Sequence, residues 1–253
     1  GLGVMGLHSF FQQKNIPFGS VMSKVWNQKI FKHIQEKADQ ASVKLAEERG
    51  SCPDAEEYGI KERFSNKTAI APTASISVIC GGASPGIEPI AANSYTHKTL
   101  SGSFNVRNKY LAKILEKHAK NDDETWSSIT TNQGSVSHLD FLSDIEKDTF
   151  KTAFEIDQRW IVELGADRTP NISQAQSINV FVPADIHKKE LHQIHFQAWK
   201  KGLKSLYYCR SKSIQRAENV NTGSSTDVTK NVYKSNKEST NEENKYEECL
   251  SCQ

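Results

Sequence analysis

At 253 residues, with 25% charged residues and a formal net charge of only +2, the chain is long enough for one large domain or two small ones and has no marked excess of either sign. Nothing in that balance calls for a nucleic-acid partner or a membrane surface, and no apolar run reaches the roughly 18 residues of a spanning helix. No signal peptide is visible, and five cysteines (Cys52, Cys80, Cys209, Cys249, Cys252) are odd in number and too sparse for a secreted disulfide scaffold, so the expected location is a reducing cytoplasm.

The first residues, Gly1-Leu2-Gly3-Val4-Met5-Gly6-Leu7, lack an initiator Met and read as the interior of a helix, as though the chain starts partway through a fold. The apolar run to residue 14 is broken by Pro17 and Gly19. Ser20 or Ser23 then caps a long helix predicted from Val21 to Arg49, with Phe31, Ile34, Ala38, Ala41 and Leu45 on one face and Gly50 closing it. Thr68–Ala71 is strand-like and ends at Pro72, and residues 73–80 start a helix that stops at Gly81-Gly82. Loop and short strands are expected over 83–105. Helical patterns return at 107–119 and 142–164, the latter with Phe150, Ala153, Asp157, Trp160 and Leu164 on one face. Residues 177–182 read as a strand, 184–201 as a helix and 203–209 as another strand. Strands alternating with helices imply a largely parallel α/β sheet. From Ser211 to Glu248, Asn, Ser, Thr, Lys and Glu dominate, with only scattered Ile214, Val220, Val228 and Val232, and this composition predicts disorder.

Three constellations carry chemistry. Ala71-Pro72-Thr73-Ala74-Ser75-Ile76-Ser77 is a strand end turning into a helix, which presents free backbone N–H groups, the positive end of the helix dipole and the hydroxyls of Thr73, Ser75 and Ser77. A phosphate or diphosphate fits there, with ordinary N-capping as the plainer alternative; no Walker-type Gly-Lys supports an ATPase loop. Tyr207-Tyr208 places two phenols side by side, able to pass an electron and a proton by hopping. Adjacent strand residues point to opposite faces, so a stacked pair needs an irregular backbone; core packing is the plainer reading. Cys249 and Cys252 form a CxxC at the end of the polar tail. It suits redox exchange better than zinc, which needs two further ligands that no second CxxC or close His pair supplies. A flexible tether of ~39 residues reaches roughly 31–37 Å, enough to cross a domain. Cys80 and Cys209, among apolar neighbours, are expected to be buried. His8, His97 and His138 pair with no nucleophile in the sequence, and no metal site is predicted.

In this order, Gly1–Leu7, Ala71–Ser75, Gly86–Pro89, Leu100–Phe104, Gln174–Asn179, Leu206–Tyr208 and Glu248–Cys252 resemble the C-terminal part of the large, catalytic subunit of class I ribonucleotide reductase. The segments cover nearly all of residues 1–210 and the end of the tail. The resemblance implies an α/β fold, the C-terminal half of the family's ten-stranded barrel over 1–210, with a flexible tail over 211–253. It further implies reduction of ribonucleoside diphosphates to deoxyribonucleoside diphosphates by radical chemistry. Thr73, Ala74, Ser75, Ile76 and Ser77 would hold the substrate diphosphate. Tyr207 and Tyr208 would be the last relay steps from the di-iron tyrosyl radical of a small partner subunit. Cys249 and Cys252 would re-reduce an active-site disulfide and be reduced in turn by thioredoxin or glutaredoxin. Ile76 departs from the family pattern, where many relatives carry a hydroxyl.

The family's radical-forming cysteine, its partner cysteines, the Asn and Glu of the finger loop and the nucleotide-effector region all precede the point where this sequence begins. The implied chain is therefore active only beside an N-terminal portion, and an open half-barrel would expose strand edges. Rival readings are a binding or scaffolding module that kept the fold, and, more weakly, a free-standing thiol oxidoreductase.

Overall fold

The computed structural model describes residues 1–99 and 102–211; Leu100 and Ser101, the predicted disordered stretch from 212 onward and the tail pair Cys249 and Cys252 lie outside the described residues. The chain does not begin inside a helix. Gly6 adopts a left-handed conformation (φ 84°) that only glycine takes without strain, and helix α1 (Leu7–Gln13) starts after it. Residues before Gly6 are extended instead, with Leu2 N–H bonded to Lys67 O at 2.8 Å and Ala69 N–H to Leu2 O at 3.0 Å.

Helix α2 (Val21–Arg49) matches its predicted bounds, and both candidate caps are used. Ser20 Oγ accepts from Ser23 N–H while Ser23 Oγ accepts from Ser20 N–H, a reciprocal capping box. Its buried face differs from the expected apolar stripe. Ser23, Asn27, Phe31, Ser42 and Ala46 are buried and Ala41 is exposed, because the helix docks largely through polar groups. Asn27 Nδ2 donates to Leu164 O at 2.9 Å, and Ser42 Oγ accepts from the backbone N–H groups of Arg63 and Phe64. Asn27 Oδ1 also accepts from the fully buried Arg168, whose Nε donates to Gln176 Oε1 at 2.6 Å and whose guanidinium lies over the Phe31 ring. Burial pushes the Arg168 pKa down to about 9.

Short helices α3 (Pro53–Glu57) and α4 (Ala74–Ile79) follow, then an antiparallel hairpin of β1 (Ser94–Thr99) and β2 (Gly102–Arg107) and helix α5 (Lys109–Lys117). Helix α6 (Asp123–Thr131) is additional to the predicted elements. Its signal is the acidic start Asp122-Asp123-Glu124 before the i, i+3 pair Trp126 and Ile129, with Asp122 accepting from Thr125 N–H.

The helix predicted over 142–164 is two helices, α7 (Asp144–Thr149) and α8 (Gln158–Arg168). Phe150 ends the first and packs in one core with Leu111, Leu115, Trp126 and Ile129; Leu164 packs in another with Phe11, Phe31, Ile161 and Ile178. The break carries the chain between the two cores, and Asp157, expected on the shared face of one long helix, is the N-cap of α8. Helix α9 (Lys188–Lys200) packs Ile194 and Ala198 on Val162, Val180 and Val182.

The expected parallel sheet is reduced to a row of short pairings. Leu2 pairs with Thr68 and Ile70 with Gln176, both parallel, and strands β3 (Val180–Val182) and β4 (Cys209–Ser211) pair in parallel. The predicted strand 68–71 is thus two single bridges, and the predicted strand 203–209 begins only at Cys209. Among the described residues these segments form part of a parallel wall, and no closed barrel is present.

Two buried features of this frame are directly testable. His8 is buried against Phe18 and accepts from Ile90 N–H through Nδ1 at 3.0 Å, and burial pushes its pKa down to about 3. The unfolded chain therefore takes up this proton first as pH falls below about 6.5, and stability is lost from there towards pH 3. In urea titrations this group should cost about 1.6 kcal/mol between pH 6.5 and 5. His138 is shifted in the same direction, so the comparison is with His8→Asn, which keeps an acceptor for Ile90 and should remove most of that loss.

Gly134 (φ 81°) is the second feature. A Cβ there would drive into Ala92 Cβ and the Asn93 backbone N, inside a site where Asn93 Nδ2 donates to Gly134 O and Phe150 O. Gly134→Ala is expected to cost about 2–4 kcal/mol from overpacking and backbone strain, read as a lowered Tm by calorimetry.

Candidate functional site

A cavity of about 670 Å³ brings together two of the three predicted constellations. Its wall includes Thr73–Val78, the 82–93 loop, the base of the hairpin, Asn179 and Tyr207, Tyr208 and Arg210.

On one side, Thr73 is itself in the left-handed region (φ 52°) and makes no side-chain cap to α4. Its Oγ1 accepts from Gly86 N–H at 2.7 Å, which ties the loop to the helix start and leaves the first-turn N–H groups of Ala74, Ser75 and Ile76 without a partner from that side chain. The hydroxyls are not equivalent donors. Ser77 lines the cavity but is buried and donates to Ala74 O at 2.7 Å, so its hydroxyl proton is spent within the helix. Thr73 keeps its own hydroxyl proton for a second partner, and Ser75 and the half-exposed Ile76 stand on the cavity wall.

Elsewhere on the wall, the backbone of 203–208 is irregular, and that irregularity lets neighbouring phenols meet. The rings of Tyr207 and Tyr208 lie 4.1 Å apart between centroids at an interplanar angle of 52°, with hydroxyl oxygens 3.5 Å apart. They are 45% and 43% exposed, which rules out the plainer reading of a buried aromatic pair. Tyr207 N–H bonds to Ile178 O at 2.8 Å and Val180 N–H to Tyr208 O at 2.9 Å, while the Arg210 guanidinium sits 5.5 Å from the Tyr208 ring centre.

Glu88 also lines the cavity; it is buried, accepting from Asn179 N–H at 2.9 Å and Asn179 Nδ2 at 3.1 Å. Burial pushes its pKa up, against the opposing pull of the Asn179 hydrogen bonds and the Arg210 and Arg168 charges. Glu88, Asn179 and Arg210 carry no role assigned from the sequence, although Glu88 and Asn179 stand in the family-like segments Gly86–Pro89 and Gln174–Asn179; a charge set among apolar residues is the available signal.

The remaining candidates lie elsewhere. Cys80 and Cys209 are exposed, correcting their expected burial: Cys80 follows the end of α4 and Cys209 opens the short strand β4. His8 belongs to the core. His138 Nε2 meets Ser128 Oγ at 2.7 Å, but its buried Nδ1 has no hydrogen-bond partner among the described residues, so nothing orients it as a base. Among the described residues, no cluster of three or more His, Cys, Asp or Glu is placed to hold a metal, and no helix is long and apolar enough to cross a membrane.

The ribonucleotide reductase barrel domain matches residues 1–62 and 54–209. The ribonucleoside-diphosphate reductase large subunit of Invertebrate iridescent virus 6 is 48% identical over 226 residues, covering 88% of this chain and 23% of that protein. The large subunit of Caenorhabditis elegans is 32% identical over 287 residues, covering all of this chain and 35% of that protein. Among solved structures, the Actinobacillus ureae class Id ribonucleotide reductase alpha subunit superposes with a TM-score of 0.78 at 39% identity, over 84% of this chain and 39% of that one. The chain thus spans about a quarter to two fifths of the length of these relatives. With its barrel-domain match running through to residue 209, the chain belongs to the ribonucleotide reductase large-subunit family.

Proposed function

We propose that this chain supplies the diphosphate grip, the tyrosine relay and the tail dithiol of a ribonucleoside-diphosphate reductase, and that it works together with the large-subunit segments that lie outside this sequence. The shared cavity carries this reading, because the uncapped start of α4 and the tyrosine pair face the same 670 Å³ space.

An anionic diphosphate at Thr73–Ser77 would accept from the first-turn N–H groups of α4, where the helix dipole favours negative charge. Ile76 offers its backbone N–H and no hydroxyl, so the grip rests on main-chain donors with Thr73 and Ser75. At the relay, a tyrosyl radical on one residue takes an electron and the hydroxyl proton from the other; one O–H bond breaks as the other forms. An oxidised phenol is a strong acid and releases its hydroxyl proton as the electron leaves, and hydroxyls 3.5 Å apart give that proton a short path. Partner roles complete the scheme: a small subunit with a di-iron tyrosyl radical, nucleotide effectors on the N-terminal portion, and thioredoxin or glutaredoxin for Cys249 and Cys252. The sparse cysteines agree with a reducing cytoplasm.

The 253 residues by themselves are expected to show no reductase turnover. Adding the N-terminal portion of the large subunit, the small radical subunit and a dithiol should restore formation of deoxyribonucleotide from ribonucleoside diphosphate, measured by chromatography; a saturating, folded mixture that stays inactive sinks the proposal.

Tyr207→Phe and Tyr208→Phe remove the oxidisable O–H while keeping the ring. Each should drop turnover of the reconstituted enzyme to background with assembly, followed by analytical ultracentrifugation, unchanged. Full turnover in both variants would favour the scaffolding reading instead.

A further inference from the structure

Both oxygens of the buried Glu88 are taken by a single residue. Asn179 donates its backbone N–H to Oε1 at 2.9 Å and its Nδ2 to Oε2 at 3.1 Å. The other end of that amide faces the tyrosines, with Tyr208 N–H donating to Asn179 Oδ1 at 3.0 Å. Main-chain bonds from Tyr207 N–H to Ile178 O and from Val180 N–H to Tyr208 O flank this contact.

A primary amide has one accepting end and one donating end, while a backbone N–H only donates. Asn179 must therefore turn its oxygen towards Tyr208, and whatever lies behind it must accept from its NH₂. It must also accept the N–H of residue 179. A carboxylate, accepting on both oxygens, meets both demands. With an asparagine at position 179, a donor at position 88 would leave a buried donor facing a donor. Strand β4 begins only at Cys209; the pairing with β3 reaches Tyr208 through its carbonyl, which accepts from Val180 N–H, and for the Tyr208 N–H this side-chain bond occupies the place of a ladder bond.

We infer that Glu88, acting through Asn179, is the positioning residue for the Tyr207–Tyr208 contact: the carboxylate orients the amide, the amide holds the Tyr208 backbone, and the two phenols meet because of it. This deepens the relay reading and rests on it only for its effect on turnover.

The test is a polarity swap in the full-length chain, with 3-fluorotyrosine placed at position 207 or 208. Glu88→Gln leaves one acceptor for two donors. Amide hydrogen exchange at Tyr208 should then quicken by about tenfold, the worth of one buried hydrogen bond. The ¹⁹F resonances should move towards their denatured-chain positions. The double variant Glu88→Gln with Asn179→Asp keeps the net charge and restores every partner. The introduced amide oxygen accepts from the backbone N–H of residue 179, its NH₂ donates to one carboxylate oxygen, and the other oxygen accepts from Tyr208 N–H. Exchange and ¹⁹F shifts should return to those of the parent.

If Glu88→Gln does not fold, the double variant alone decides. Recovery of the parental shifts supports the inference, and failure to recover them overturns it. A folded Glu88→Gln chain with parental exchange and ¹⁹F shifts also overturns it, whatever its turnover. If the shifts move while the reconstituted enzyme runs at full rate, the positioning role stands and the relay reading falls.

Discussion

Residues 84–93 are mostly buried yet belong to no helix or strand, so their polar groups need partners from the rest of the fold. They find them in every direction. Ser84 exchanges hydrogen bonds with Ser9 at the start of α1, and Gly86 N–H reaches Thr73. Glu88 holds Asn179, Ile90 N–H reaches His8, and Asn93 binds Gly134, Phe150 and Asn108. Five positions of one loop thus fix α1, the start of α4, the 176–182 segment, the second core and the cap of α5. The cavity is the space those fixed elements leave.

That arrangement explains why the site is built from irregular backbone. A regular strand through 203–209 would point Tyr207 and Tyr208 to opposite faces. The chain instead pairs with β3 only at its end, and the two tyrosines are held by one main-chain and one side-chain acceptor. A regular α4 with a side-chain cap would likewise fill its own N-terminal donors. Thr73 spends its oxygen on Gly86, and the helix start faces the cavity. In both places a local preference is given up and the loop supplies the compensating bonds.

The interior is correspondingly polar. The fully buried Arg168 is bonded to Asn27 and Gln176, and the Gln12–Asn108–Asn93 chain of amides joins α1 to the second core. Such networks are directional, and each member restricts the geometry of the next. Hydrophobic packing of Phe11, Phe31, Leu164 and Ile178 supplies the driving force to condense, and the amides and the buried cation select one arrangement.

Local chemistry alone settled a good part of this protein. The bounds of α2 were legible because a Ser-based cap and Gly50 mark its ends, and α4, α5 and α9 follow from similar signals that act within a few residues. The motifs naming the family were legible for the same reason: they are short and run in order. What depended on distant contacts was decided only by tertiary structure. The polar face of α2, the break between α7 and α8, the reduction of strands to bridges and the exposure of Cys80 and Cys209 all turn on which groups lie opposite. The same holds for the site. Thr73 to Ser77 and the two tyrosines could be picked out singly, but Glu88 and Asn179 join them only through hydrogen bonds between segments far apart in the chain, and Arg210 through its contact with the nearby Tyr208 ring; periodicity carries no record of either.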